Sequence, residues 1–270
     1  MTSGTLLSRV VPPAALGSRR ALRLVERNLM VYRRAWVIIF SGFFEPVFYL
    51  FAVGVGIGVL VGDIDMGGGL MVSYAEFVAP AMLASSAMNG AVYESTMNIF
   101  FKLRWAKTYD AVLATPLGPG DVATGEITWS LMRGAIYAVC FLIVMVAMGL
   151  MPSPWGFLAL PAALLIGFAF AAVGMAATTY MKSWQDFDLV SLVTLPLFLF
   201  SATFYPMSVY PEWLQTVARF SPLYHGTDLI RGLTLGVFDW SLLGHVGVLV
   251  GMGLVGALVA SRRIEQLLLK

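Results

Sequence analysis

Six long apolar segments dominate the sequence and restrict the folds open to it. A helix of about 20 apolar residues crosses the roughly 30 Å hydrocarbon layer of a bilayer. The fifth segment, 189–205, is shorter than the others but carries no charge between Asp188 and Pro206. The six segments are residues 37–61, 77–101, 131–151, 157–181, 189–205 and 242–260. The sequence therefore predicts an all-α integral membrane protein with six transmembrane helices.

Composition supports this class. Hydrophobic residues make up 59% of the chain and charged residues only 12%, whereas a soluble domain usually carries about 25% charged residues. This balance excludes a water-soluble globular fold of this length, because such a fold needs more polar surface. We divide the chain into an N-terminal segment (1–36), a transmembrane domain (37–262) and a short tail (263–270).

The basic residues fix the expected orientation, because cytoplasmic loops carry an excess of Lys and Arg. With six spans, 15 of the 17 basic residues fall on one side, and only Arg219 and Arg231 lie opposite. The 15 lie before the first span, between the second and third, between the fourth and fifth, and in the tail. We therefore expect a multi-pass protein of the cell membrane with both termini in the cytoplasm.

Residues 18–36 have the spacing of a separate amphipathic helix. Leu22, Val25, Leu29, Tyr32 and Trp36 repeat every three or four residues and form one stripe, and the arginines fall on another face. This pattern is typical of an interfacial helix lying on anionic lipid. A solvated lead-in to the first span is the alternative.

Ionisable side chains inside the spans are the first candidates for function, because they are costly in a membrane. Glu45 precedes Pro46 in the first span, and Glu94 lies one helical turn before Asn98 in the second. Glu45, Glu94 and Asn98 are therefore pathway candidates. The same groups could instead form hydrogen bonds between packed helices. Arg133, near the inner end of the third span, is expected to reach back to the membrane surface.

Two connections between the spans are unusual. The predicted cytoplasmic stretch 102–126 is long, and Trp105, Tyr109 and Leu113 could share one helical face before Pro116 ends the helix. Such a short amphipathic helix either binds a soluble partner or lies flat on the membrane. On the outer side, 206–241 is rich in proline and aromatic residues, which favours short helices dipping into the outer leaflet.

No enzymatic motif is present. The sequence contains no GxxxxGK[ST] phosphate loop, no HExxH and no GxSxG. His225 and His245 are 20 residues apart and have no further metal ligand at a useful spacing. We therefore expect neither a catalytic site nor a bound cofactor or metal in this chain.

Three segments in order resemble the membrane subunits of type 2 ABC exporters, in the branch of nodulation lipo-oligosaccharide and daunorubicin-type drug permeases. They are TYDAVLATPLGPGDVATGEITWSLMRG (108–134), FYPMSVYPEWLQTVARFSPLYHGTDLIRGL (204–233) and the sixth span, ending in Arg262 and Arg263. The resemblance covers about 20–263. Its most specific part is SPLYHGTDLIRG; the apolar segments are less specific.

The resemblance implies a half-transporter with a cytoplasmic coupling helix at about Lys102–Leu117 and outer re-entrant helices at about Pro206–Arg231. The coupling candidates are Lys102, Arg104, Trp105, Tyr109, Leu113 and Pro116. The outer cap candidates are Pro222, His225, Asp228 and Arg231, for which structural hydrogen bonding is the alternative to substrate contact. ATP and Mg²⁺ are expected on a separate ABC ATPase chain. A second permease subunit and membrane lipids are the other expected partners, and no nucleic acid is expected.

The leading hypothesis is thus an export permease for an amphipathic or lipid-like substrate such as a drug, polyketide or glycolipid. An ion-coupled carrier that uses Glu45 and Glu94 is the first alternative; it would need internal repeats or broken helices, and no repeat is visible. A scaffold that recruits a soluble protein through 102–126 is the second alternative.

Overall fold

The structure is a computed structural model that describes residues 20–33, 44–66 and 69–268. Within these ranges the chain is a bundle of α-helices with one small β-hairpin, which confirms the all-α class. Each of the six apolar segments overlaps a helix. Three helices are long and apolar enough to cross a membrane, Pro119–Ala147, Pro154–Thr178 and Ser241–Leu267. This supports a multi-pass membrane protein.

The N-terminal helix α1 (Ala21–Tyr32) packs against a later helix, α6 (Pro119–Ala147). Gly125 of α6 has no side chain, and Leu24 fills the space that a Cβ would occupy. The buried face therefore carries Leu24, Val25 and Asn28, and about half of Leu22 and Leu29 stays exposed. Of the predicted stripe, Val25 is thus buried in the bundle, and the placement of α1 on the membrane surface stays a prediction. Trp36 lies outside the described residues.

The first span region begins outside the described residues, since 34–43 are not described. It continues as α2 (Phe44–Tyr49), a π-helical segment (Leu50–Ile57) and α3 (Gly58–Val61). Strands β1 (Asp63–Asp65) and β2 (Met71–Ser73) then pair antiparallel. The register sets Asp63 opposite Ser73 and Asp65 opposite Met71. The sequence patterns did not predict this hairpin.

Helix α4 (Tyr74–Tyr93) covers most of the second predicted span. A capping box fixes its start, because the Ser73 backbone N–H donates to Glu76 Oε2 over 2.7 Å and the Glu76 N–H donates to Ser73 Oγ. The chain then continues through two π-helical segments, Glu94–Asn98 and Phe101–Trp105. π-Helical turns are uncommon and occur frequently at functional sites.

A short helix α5 (Thr108–Leu113) follows, and then α6 starts at Pro119. The helix that contains most of the third predicted span, 131–151, therefore starts well before that span. The first turns of α6 carry polar residues that the hydropathy pattern assigned to a loop. Pro119 suits the first helical position, and Asp121 Oδ2 accepts from the Gly118 backbone N–H over 3.0 Å. As a result the stretch 102–126 is mostly helical.

The second half of the chain is a series of helices. They are a 3₁₀ segment (Pro154–Leu158), α7 (Ala159–Thr178), α8 (Asp186–Phe200), a 3₁₀ segment (Met207–Val209), α9 (Glu212–Arg219), α10 (Pro222–Leu235) and α11 (Ser241–Leu268). The proline-rich stretch before the last helix thus forms short helices, as its composition predicted. At the start of α8, Asp186 accepts from the backbone N–H groups of Lys182 and Ser183, which lower the pKa of its carboxyl group.

Helices α7 and α11 pack closely along each other. At Gly256 a Cβ would lie 2.8 Å from backbone atoms of Ala172 and Val173, so only glycine permits this approach. A large apolar core lies between α4, α6, α7 and α10 and contains Phe77, Phe141 and Ile166. A smaller cluster around Tyr109, Val122 and Met175 lies next to α5.

Candidate functional site

A buried polar cluster joins α5 to the rest of the bundle. Glu126 of α6 is 2% exposed and accepts hydrogen bonds from three segments. Lys102 Nζ lies 2.8 Å from Glu126 Oε2, Asn28 Nδ2 donates to the same oxygen over 3.1 Å, and the Tyr109 hydroxyl donates to Oε1 over 3.1 Å. Lys102 Nζ also lies 3.3 Å from Asn28 Oδ1. We call Asn28, Lys102, Tyr109 and Glu126 the Glu126 cluster.

Burial keeps the Tyr109 hydroxyl protonated. Tyr109 is 1% exposed, and this burial, followed by the nearby Glu126 carboxylate, raises the pKa of Tyr109 well above its ordinary value. The phenol therefore keeps the proton that it donates to Glu126. Because Tyr109 belongs to α5 and Glu126 to α6, the hydrogen bond holds the short helix against the long one.

The six coupling candidates divide between surface and interior. Trp105 is 70% exposed, and Pro116 is also on the surface. Arg104 donates to the Met181 carbonyl over 3.0 Å. Tyr109 and Lys102 are buried, because Glu126 provides both with a partner inside the protein. The side chain of Leu113 lies outside the described part of the structure.

A second polar cluster lies farther along α4 and α6. Arg133 of α6 forms a buried ion pair with Glu94 and donates to the Tyr137 hydroxyl over 3.0 Å. Asn98 donates to Glu94, and Asn98 and Arg133 both donate to the Tyr32 hydroxyl of α1. We call these five residues the Arg133 cluster. The expectation that Arg133 reaches to the membrane surface is wrong, because Glu94 lies close enough to neutralise it.

The Arg133 cluster borders a cavity of about 650 Å³. Its walls come from α2, α4, α6 and α8. The lining residues include Pro46, Tyr49, Ser85, Ser86, Asn89, Tyr93, Ser130, Arg133, Tyr137, Ser191, Thr194 and Phe198. Glu94 and Asn98 thus lie behind one wall of the cavity rather than on its surface. The side chain of Glu45, the other pathway candidate, is outside the described part of the structure.

A third polar group lies at the opposite end of α4. Arg231 of α10 is 3% exposed and donates to two backbone carbonyls, from Nε to Phe77 over 3.3 Å and from Nη2 to Ala202 over 2.7 Å. Its guanidinium also lies 3.9 Å from the centre of the Phe77 ring. Arg231, Phe77 and Ala202 form the Arg231 cluster.

The remaining cap candidates lie beside Arg231. His245 of α11 bridges His225 and Asp228 of α10, with its Nδ1 2.7 Å from His225 Nδ1 and its Nε2 3.0 Å from Asp228 Oδ2. Pro222 occupies the first position of α10 after Ser221, whose Oγ accepts from the Tyr224 N–H. Two of the four cap candidates, His225 and Asp228, therefore meet through a histidine that the motif does not contain.

Asn28, Glu126 and His245 are partners that the sequence patterns did not select. A carboxylate among the apolar residues of α6 was the available signal for Glu126, but nothing in the spacing pointed to Lys102. No group of three or more His, Cys, Asp or Glu side chains could hold a metal ion within the described ranges. The polar clusters are thus suited to holding helices together.

Comparison with known proteins identifies the group to which the chain is related. The ABC-2 type transporter family matches residues 20–235. Nodulation protein J of Rhizobium leguminosarum bv. trifolii is 36% identical over 86% of this chain and 88% of that protein. Nodulation protein J of Rhizobium leguminosarum bv. viciae is 33% identical over 94% of this chain and 97% of that protein.

A more distant relative is an Escherichia coli (strain K12) protein named inner membrane transport permease YadH. It is 25% identical over 66% of this chain and 70% of that protein. The family implies partnership with an ABC ATPase subunit and identifies this chain as a transport subunit rather than the ATPase. The resemblance to the membrane subunits of type 2 ABC exporters is confirmed. This chain belongs to the ABC-2 type transporter family.

Proposed function

We propose that this chain is the permease subunit of an ATP-driven exporter that moves an amphipathic or lipid-like substrate out of the cell. A separate ABC ATPase binds ATP and Mg²⁺ and docks on the segment 102–116. A second permease subunit, identical or similar, completes the transport unit in the cell membrane. Both termini of this chain lie in the cytoplasm with α5, and α10 lies on the outer side.

The observation that carries this proposal is the Glu126 cluster. An ATPase that pushes on the exposed side of 101–113 moves Lys102 and Tyr109, which are both bound to the same carboxylate. Glu126 is part of α6, a helix long enough to cross a membrane. Movement of the surface segment is therefore transmitted directly to the transmembrane bundle, and no covalent step in this chain is required.

The cavity bordered by Arg133 is the proposed site for the polar part of the substrate. Its walls combine hydroxyl and amide groups with the rings of Tyr49, Tyr93, Tyr137 and Phe198. Such a mixed surface suits a molecule that has a polar head and an apolar body. Drugs, polyketides and glycolipids all meet this description, and the Arg231 cluster with α10 would close the pathway on the outer side.

Docking is tested by co-purification of the chain with its ATPase. We expect Trp105→Ala to weaken the complex strongly, because Trp105 is the large exposed side chain next to the Glu126 cluster. Trp213→Ala is the matched control, since Trp213 is 68% exposed but lies on α9. Equal recovery of the ATPase with both variants would show that the docking surface lies elsewhere.

Transport is tested in vesicles that contain both chains. ATP-dependent movement of a fluorescent amphiphile should require the ATPase and disappear with Trp105→Ala. The ion-coupled carrier predicts instead that movement persists without ATP and stops when the proton gradient is removed. Glu94 is already paired with Arg133, which argues against it as a free proton carrier.

A further inference from the structure

The charges around the cavity indicate which class of ligand it binds. Among the described side chains that line the cavity, Arg133 is the one that carries a full charge. Glu94 pairs with Arg133 from behind the wall, and both side chains are largely buried. The wall therefore presents a cation whose charge is already balanced.

The polar groups left on the wall are uncharged. Ser191 and Thr194 provide hydroxyl groups on the α8 side. Ser86 and Asn89 add a hydroxyl and an amide on the α4 side. A ligand with hydroxyl or carbonyl groups can form hydrogen bonds with these neutral groups, which replace the bonds to water that it loses on entering the cavity.

We propose that the cavity admits the uncharged polar head of a membrane amphiphile and rejects an anionic head, and that Glu94 sets this selectivity by neutralising Arg133. An anion entering the cavity loses its hydration. It gains little in return, because Arg133 already has a carboxylate partner and Glu94 repels a second negative charge. This inference rests on the proposed transport function and names the class of its substrate.

Removing the Glu94 charge should reverse the preference. In Glu94→Gln the Arg133 guanidinium keeps its place but loses its counter-charge. Interactions between charges are strong in a medium of low dielectric constant, and guanidinium groups bind carboxylates and phosphates well. We expect the anionic ligand to gain about tenfold or more in occupancy relative to the neutral one, which corresponds to about 1.4 kcal/mol.

The experiment uses two photoactivatable lipids with the same tails, diacylglycerol as the neutral probe and phosphatidic acid as the anionic probe. The full chain is placed in nanodiscs, labelled with each probe, and the labelled peptides around Tyr93 and Tyr137 are quantified by mass spectrometry. Wild-type protein should favour diacylglycerol, and Glu94→Gln should favour phosphatidic acid. An unchanged ratio of the two labels would overturn the proposal.

The double variant Glu94→Gln with Arg133→Gln guards against a folding defect in the single variant. It carries no buried charge at this position, so its labelling ratio should return towards the wild-type value. A double variant that still favours phosphatidic acid would also overturn the proposal. Glu265→Gln, at an exposed carboxylate near the end of α11, is a further control and should leave the ratio unchanged; a large shift there would also overturn the proposal.

Failure here is distinguishable from failure of the transport function. Labelling in nanodiscs needs neither ATP nor the ATPase. If the ratio follows the prediction and no ATP-driven flux occurs, the charge rule stands and the exporter proposal fails. If flux occurs while the ratio stays constant in all variants, the exporter proposal stands and the charge rule fails.

Discussion

The polar contacts near the two ends of α4 differ in kind. Beyond the last turn of α4, the Glu126 cluster uses a side-chain carboxylate that accepts from Lys102, Tyr109 and Asn28. At the first turn, Arg231 donates to the backbone carbonyls of Phe77 and Ala202. At one end, several side chains bind the Glu126 carboxylate, which we call the hub. At the other end, one side chain binds the backbone.

The difference shows which end is sensitive to charge. Removal of the hub carboxylate leaves Lys102 buried without a counter-charge, whereas removal of Arg231 leaves two neutral carbonyl groups. Side chains gathered around one carboxylate can also exchange partners when helices move, but the Phe77 and Ala202 carbonyls that accept from Arg231 belong to the backbone of two chain segments. This contrast fits a movable joint next to α5 and a rigid closure at α10.

The largest effect is expected at the hub. Glu126→Ala should lower the free energy of unfolding by about 3–5 kcal/mol, because an unpaired buried charge is strongly destabilising. Denaturant titration of the purified chain in mild detergent measures this loss. Lys102→Met with Glu126→Leu removes both charges and should recover most of the stability. A double variant as unstable as the single one would show that the ion pair is not the cause.

A smaller loss is expected at the other end. Arg231→Met should cost about 1–3 kcal/mol, because the Phe77 and Ala202 carbonyls lose their hydrogen bonds to the guanidinium group. The control is Arg219→Met, an exposed arginine of α9, which should change stability by less than about 0.5 kcal/mol. A loss as large as that of Glu126→Ala would remove the distinction between the two ends.

The two ends also differ in the close helix contacts made at glycine residues. At Gly125 a Cβ would lie 3.0 Å from the Ala21 carbonyl, whereas at Gly226 it would meet the Ile166 side chain at 2.7 Å. The backbone of α1 cannot move aside as the end of Ile166 can. We expect Gly125→Ala to cost about 1–3 kcal/mol and Gly226→Ala to cost less.

Gly244→Ala is the control for both glycine variants, because a Cβ there has free space around it. Nothing lies within 4 Å of a Cβ at Gly244, and alanine is favoured over glycine in a helix by about 1 kcal/mol. Thermal unfolding of the three variants in one detergent gives the comparison. If Gly226→Ala is the more damaging change, the α10 end is packed more rigidly than the hub end.

The sequence predicted the class of the fold and the position of most helices, because apolar segments of about 20 residues respond to the membrane directly. It misplaced the start of α6, since the polar residues after Pro119 lack the hydropathy of a span but still form a helix. It also missed the hairpin of β1 and β2. Hydropathy indicates which segments lie in the membrane. The start of α6 and the hairpin lie at the ends of such segments, where hydropathy is less informative.

The candidate sites were predicted less completely for a related reason. Residue patterns select Glu94, Lys102 and Tyr109 as unusual, but the partner of each lies on another helix. Glu126 is separated from Lys102 by 24 residues and from Asn28 by 98, and spacing along a chain contains no information about such contacts. For that reason Tyr109 was assigned to a docking face, although its hydroxyl group points at Glu126.

The smallest effect is expected for Asp228, beside the Arg231 cluster. Its side chain is 37% exposed, and its contact with His245 spans 3.0 Å. Pairs that are partly open to solvent contribute about 1 kcal/mol or less, and asparagine keeps a group that can bond to His245. Asp228→Asn should therefore change the free energy of unfolding by less than about 1 kcal/mol in the same titration. A loss well above that value would mean that His225, Asp228 and His245 form a second side-chain hub, and the two ends of α4 would then be built alike.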